Sequence, residues 1–68
     1  MVQIDARGLS CPEPVVRTQK GIAANPEGVT VLVDAVVCVE NIKRFANSRG
    51  YAFQIEQNGG EYTLTLTK

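Results

Sequence analysis

The sequence predicts a two-layer α/β sandwich of order β-α-β-α-β-β, with a mixed four-stranded sheet and two helices on one of its faces. Three observations predict it. Four short segments alternate apolar and polar residues, which is the period of a strand. Two segments between them carry apolar residues at helical spacing. The chain of 68 residues has room for one small core, so residues 1–68 are read as a single domain.

The first strand is the alternation of Val2, Ile4 and Ala6 with Gln3 and Asp5. Arg7-Gly8-Leu9-Ser10 forms a connecting loop, in which Gly8 is free to take backbone angles closed to other residues. A helix is expected from about Pro12 to Ala24, ended by Asn25-Pro26-Glu27-Gly28. Val29, Val31 and Val33 make a second strand, and the apolar Leu32 on its other face predicts that it is well buried. The second helix places Val39, Ile42, Phe45 and Ala46 on one face as core, with Glu40 and Arg44 at the favourable i, i+4 spacing for a pair. Gly50 stands where a helix-ending glycine belongs. Tyr51, Phe53 and Ile55 alternate as a third strand and Asn58-Gly59-Gly60 is a tight turn. Tyr62, Leu64 and Leu66 alternate with threonines as a fourth. The last two strands form an antiparallel hairpin, which makes the sheet mixed.

Composition excludes several function classes. Seven basic and seven acidic residues cancel, whereas a chain that grips nucleic acid by itself carries a basic excess. The two Tyr and two Phe are too scattered for a base-stacking platform. There is no His, and Cys11 and Cys38 lie far apart in sequence, so neither a metal nor a cofactor is expected. No apolar run reaches the roughly 20 residues that span a bilayer, and the N-terminus lacks a signal-peptide pattern. Two cysteines also fall short of a secreted disulfide scaffold. The expected compartment is the cytoplasm, with no insertion into a membrane.

Cys11 is the candidate working residue. It stands in Cys11-Pro12-Glu13-Pro14, between a polar loop and a proline-fixed helix start, outside any apolar stripe. Proline is harmless in the first turn, where backbone N–H groups have no intrahelical partner. Pro12 also steers Cys11 away from helical angles, as suits an N-cap residue. Glu13 precedes a proline yet must be helical, which suggests that the doubled proline serves rigidity. A thiol is nucleophilic as thiolate, and a helix N-terminus can lower its pKa from about 8.5 into the range of roughly 3.5–7.5. The helix dipole alone supplies at most ~2 kcal/mol, which is less than about 1.5 pKa units. Glu13 opposes the effect, while Arg7 and Arg17 would support it if they approach.

What chemistry can a lone thiolate perform here? A cysteine hydrolase needs a His base, which the chain lacks. Dithiol exchange of the thioredoxin kind needs a second Cys where Pro14 stands. Chemistry in which sulfur is itself the cargo survives: a persulfide is attacked, one sulfur is accepted, and it is surrendered to another acceptor. The rival reading is a non-catalytic interaction or regulatory module in which Cys11 merely caps a helix.

The stretch Asp5-Ala6-Arg7-Gly8-Leu9-Ser10-Cys11-Pro12-Glu13-Pro14-Val15-Val16 resembles the opening motif of the TusA/SirA/YedF family of small sulfur-carrier proteins. The likeness continues through Val33-Asp34, Glu40-Asn41 and Arg44-Phe45-Ala46 to Gly50-Tyr51, and it also matches the element order. It implies a two-layer sandwich and a cysteine, here Cys11, that takes persulfide sulfur from a donor such as a cysteine desulfurase or rhodanese. The implied acceptor is a further protein. Thiolation of tRNA, molybdenum cofactor assembly, sulfur oxidation and thiosulfate uptake (the last through a membrane-protein partner) all occur in the family. Val39 to Ala46 looks closer to the YedF-like branch, sometimes linked to selenium. The supporting motif is Arg7, Gly8, Pro12, Glu13, Pro14 and Arg17, with the two arginines read equally as solvated surface charge.

Cys38 departs from that pattern. Its apolar setting, Val36-Val37-Cys38-Val39, favours a structural role, with a resolving thiol for Cys11 or a second sulfur site left open. Asp5, Gly8 and Asp34 are read as loop and cap residues.

Overall fold

A computed structural model describes residues 2–8 and 13–68. The elements run β1 (Val2–Asp5), α1 (Glu13–Ala24), β2 (Gly28–Val33), α2 (Val36–Ser48), β3 (Ala52–Asn58) and β4 (Glu61–Thr67). This is the predicted order. The sheet is mixed and its strand order, which the sequence leaves open, is β1-β2-β4-β3. β1 pairs parallel with β2, and β4 runs antiparallel to both β2 and β3.

The alternation in the strands decides which face is covered. Val29, Val31 and Val33 are fully buried with Leu64 and Leu66 beside them, and Val39, Ile42 and Ala46 of α2 pack onto this surface. Each such side chain contributes roughly 1.5–3 kcal/mol by leaving water. Thr63, Thr65 and Thr67 alternate onto the other face, which no helix covers. Leu32 therefore stays only half-buried, between Asp5 and Thr63 in the register. Central position in the sheet, rather than a second covering layer, is what buries β2.

Edge position explains a second difference. Ile55 shares the inward face of β3 with Phe53, yet it is 50% exposed because β3 is the outer strand. Phe45 is half-buried and holds the Arg49 guanidinium 5.1 Å from its ring centre, a cation–π contact at the rim of the core. Glu40 and Arg44 do not close an ion pair; among the described residues both ion pairs belong to Arg7.

Glycines end elements where geometry demands them. Gly50 has φ +76°, its N–H donates to Asn47 O and the Tyr51 N–H donates to Ala46 O. That pair of bonds is the Schellman closure of α2. The following Tyr51 ring is buried and its hydroxyl donates to Pro26 O at 2.6 Å, fastening the start of β3 to the α1–β2 loop. In the hairpin, Asn58 faces Glu61 and Gly59 takes φ +66°, as the first position of a type II′ turn requires.

Candidate functional site

Two parallel neighbouring strands, each followed by a helix, deliver both helix N-termini to the same end of the sheet. This end collects the C-termini of β1 and β2, the starts of α1 and α2, and the start of the antiparallel β4. Most residues that the sequence singled out lie here.

The loop after β1 is held from two sides. The Ala6 N–H continues the ladder to Leu32 O at 2.8 Å, and the Gly8 N–H donates to Asp34 Oδ2 at 2.9 Å. Gly8 sits at φ +76°, which a side chain would disfavour. Asp34 therefore does not cap α2. The N-cap of that helix is Ala35, which has no side chain able to accept, and no acidic residue stands in the first turn. No acidic side chain of the first turn itself offsets the positive end of α2.

Arg7 is committed elsewhere. Its Nε and Nη2 each donate to the Asp5 carboxylate at 2.9 Å, and its Nη1 reaches both Glu61 oxygens at 3.2 and 3.3 Å. The Arg7 backbone N–H adds a bond to Asp5 Oδ1. The forked bond from Arg7, helped by the charge of Arg17, holds the Asp5 carboxyl down at about 2, and the two carboxylates raise Arg7 further above its already high range. All three groups are exposed. Arg7 is thus a brace across the end of β2, and its charge is already balanced. Asp5 is the loop residue expected of it.

Cys11 and Pro12 lie outside the described residues, as do Leu9 and Ser10. α1 is described from Glu13, which is helical although a proline follows it. Pro14 is buried, and its carbonyl accepts from the buried Thr18 hydroxyl at 2.8 Å. This bond lies within α1, at the i to i−4 spacing, and satisfies the hydroxyl that burial of that face would otherwise strand. Glu13 and Arg17 are both exposed.

Cys38 is the third residue of α2, 2% exposed and packed in the core cluster, and its sulfur is disulfide-bonded. Directly before it, Val36 and Val37 are 61% and 59% exposed. Sequence reading missed this apolar pair at the mouth of α2, and it missed Glu61. Exposed valines next to a buried Cys38 were legible once the helix start was known. Glu61 was not, since its approach to Arg7 depends on the strand order.

Among the described residues no three His, Cys, Asp or Glu side chains converge as metal ligands would. A depression of about 430 Å³ lies on β3 and β4 over Gln54, Glu56, Thr63 and Thr65, away from these loops. No described helix is long and apolar enough to cross a membrane.

Comparison with known proteins agrees with the geometry. The family described as Sulfurtransferase TusA matches residues 2–68. A protein of Methanocaldococcus jannaschii named a sulfur carrier protein is 34% identical over 71 residues, covering 100% of this chain and 95% of its own. The crystal structure of a SirA-like protein from Desulfitobacterium hafniense superposes with a TM-score of 0.89 at 37% identity, over 98% of this chain and 96% of that one.

Proposed function

The chain belongs to the TusA family of sulfurtransferases, and we propose that it carries sulfur as a persulfide on Cys11, from a donor protein to an acceptor protein in the cytoplasm. Membership supports sulfur transfer in general. The single observation that carries the assignment to Cys11 is its place in the sequence: in Cys11-Pro12-Glu13-Pro14, two residues before the described start of α1.

The transfer balances without any further reagent. The Cys11 thiolate attacks the outer sulfur of a donor persulfide, the donor's S–S bond breaks, and the donor leaves as thiolate. Cys11 then holds the outer sulfur, and an acceptor thiolate repeats the step on it. No proton has to be removed by a base, provided Cys11 is ionised. Arg7 is not the source of that ionisation, since Asp5 and Glu61 already balance it. The helix dipole, solvent and the exposed Arg17 are what remain. Donors of the cysteine desulfurase or rhodanese class and a protein acceptor fit this chemistry, and the protein needs no resident cofactor for it.

Alkylation tests the reading. On reduced Cys38→Ser protein, iodoacetamide modification of Cys11 plotted against pH has its midpoint below the free-thiol value of about 8.5. A midpoint at or above that value makes Cys11 a helix cap in an interaction module.

A further inference from the structure

We propose that β3 is a dimerisation edge: two copies of this chain pair β3 antiparallel about a two-fold axis at Ile55 and join their sheets into one. Such a dimer does not depend on sulfur carriage.

β3 is an outer strand of seven residues, whereas the opposite edge, β1, has four. Natural sheets blunt their edges with short strands, proline, lysine or a bulge. β1 is short. β3 has no Pro, Lys or Arg, and its register with β4 runs unbroken from Ala52 to Asn58. Its unpaired backbone groups can be named. Gly59 and Gly60 close a two-residue hairpin, so Asn58 and Glu61 form a hydrogen-bonded pair, and such pairs alternate along the ladder. Gln54 and Glu56 therefore turn their backbone groups to β4, while Phe53, Ile55 and Gln57 turn theirs to the free edge. The Leu66 carbonyl agrees with this phase: it lies against Gly28 of β2, away from Phe53, its partner in β3.

The occupant of the edge follows from the residues of β3 itself. A two-fold axis sets the same strand on both sides. Centred on Ile55, it uses the whole strand and places Ile55 against Ile55 of the partner subunit, and Phe53 against Gln57 of the partner subunit. All of these have edge-facing backbones, so each pair can exchange its N–H···O bonds. Ile55, 50% exposed in one chain, gains an apolar neighbour on the helix-covered face. On the open face Gln54 meets Glu56 of the partner subunit in a closely spaced pair, where the amide can donate to the carboxylate. The one charge of β3 is thereby answered. An axis at Glu56 would oppose two carboxylates and shorten the overlap. An axis at Gln54 shortens it equally and leaves Glu56 facing an alanine. With strand order β1-β2-β4-β3, the ends of β1 and β2 stay uncovered at the far side of each sheet.

One strand edge buries less than the about 800 Å² per partner of a standard interface, so the dimer forms and dissociates between roughly 10 µM and 1 mM. Sedimentation velocity of the full chain across that range tests it, with amide exchange by NMR at both ends. Wild type is expected to pass reversibly from monomer to dimer. The Phe53, Ile55 and Gln57 amides should gain protection with concentration, while those of Gln54 and Glu56 are protected throughout. Gln54→Glu, at an exposed position, sets like charges across the seam. It should weaken the dimer roughly 2- to 30-fold, the range of two unfavourable cross-strand pairs. Adding Glu56→Gln to it exchanges the two residues and should restore association. Gln3→Glu adds the same charge to the same face at the far edge, and should leave association unchanged. A monomer at every concentration overturns the proposal and leaves the edge to an extended segment of another protein. A dimer that survives dilution, or one that Gln54→Glu and Gln3→Glu affect alike, overturns it too.

Discussion

Asp34→Ala removes the acceptor that fixes the Gly8 amide three residues before Cys11. A hydrogen bond to a charged group contributes roughly 1.5–3 kcal/mol and a neutral one about 0.5–1.5. Asp34 and Gly8 are both exposed, so competition from water and screening bring this bond below the charged range, to about 1 kcal/mol. In a domain this small, that loss lowers Tm by roughly 4–8 °C. Asp34→Asn keeps an acceptor oxygen without the charge and should fall between wild type and Ala. Thermal unfolding by circular dichroism gives the first readout, and amide exchange of Gly8 by NMR the second. Gly8 should exchange faster in Ala than in Asn, while amides of β2 and β4 keep their protection relative to global stability. If both variants melt with wild type and Gly8 exchange is unchanged, the Asp34 clamp on the loop after β1 is not held in solution.

Further predictions concern the scaffold. Ile42 is fully buried between α2 and the sheet, so Ile42→Ala should cost about 2–5 kcal/mol in urea unfolding, against a total of roughly 3–10 for a chain of this length; a loss under about 1 would show that the core is looser than described. Gly28 has φ +138° and a Cβ there would collide with Leu66 O, so Gly28→Ala should destabilise by at least 1–3 kcal/mol, on the order of backbone strain alone. Gly21→Ala should be milder in the same assay, since the one clash of its Cβ is with the movable end of the Ile4 side chain and Val29 stands at ordinary contact distance. The Asp5 carboxyl is held at about 2, below its ordinary 3.8. Its contribution is therefore complete above about pH 4 and is lost as pH falls towards about 2. The stability gap between wild type and Asp5→Asn should be constant near neutrality and close over that acid window; a gap that persists below it would contradict the Arg7 pairing.

Local signals carried most of the fold. Period-two alternation found all four strands, and the stripe Val39, Ile42, Ala46 found α2, because burial on one face leaves a regular imprint on sequence. What local signals could not convey was position within the sheet. Ile55 and Leu64 read alike in sequence, yet the edge strand leaves one half in water and the interior strand buries the other. The same holds at the site. Arg7 reads as a cation available to a persulfide until β4 is placed beside β2 and brings Glu61 within reach. Asp34 reads as a helix cap because it precedes α2, but the parallel pairing of β1 and β2 offers it the Gly8 amide instead. Residues whose roles depend on partners distant in sequence were the ones whose contacts the sequence left open.

The central claim is that Cys11 accepts sulfur from a protein donor. Intact-mass analysis after incubation with a cysteine desulfurase and free cysteine tests it most directly, using wild type, Cys11→Ser and Cys38→Ser. The account predicts one added, reducible sulfur atom on wild type and on Cys38→Ser, and none on Cys11→Ser. Sulfur gained equally by Cys11→Ser, or by none of the three with several donors, would contradict it.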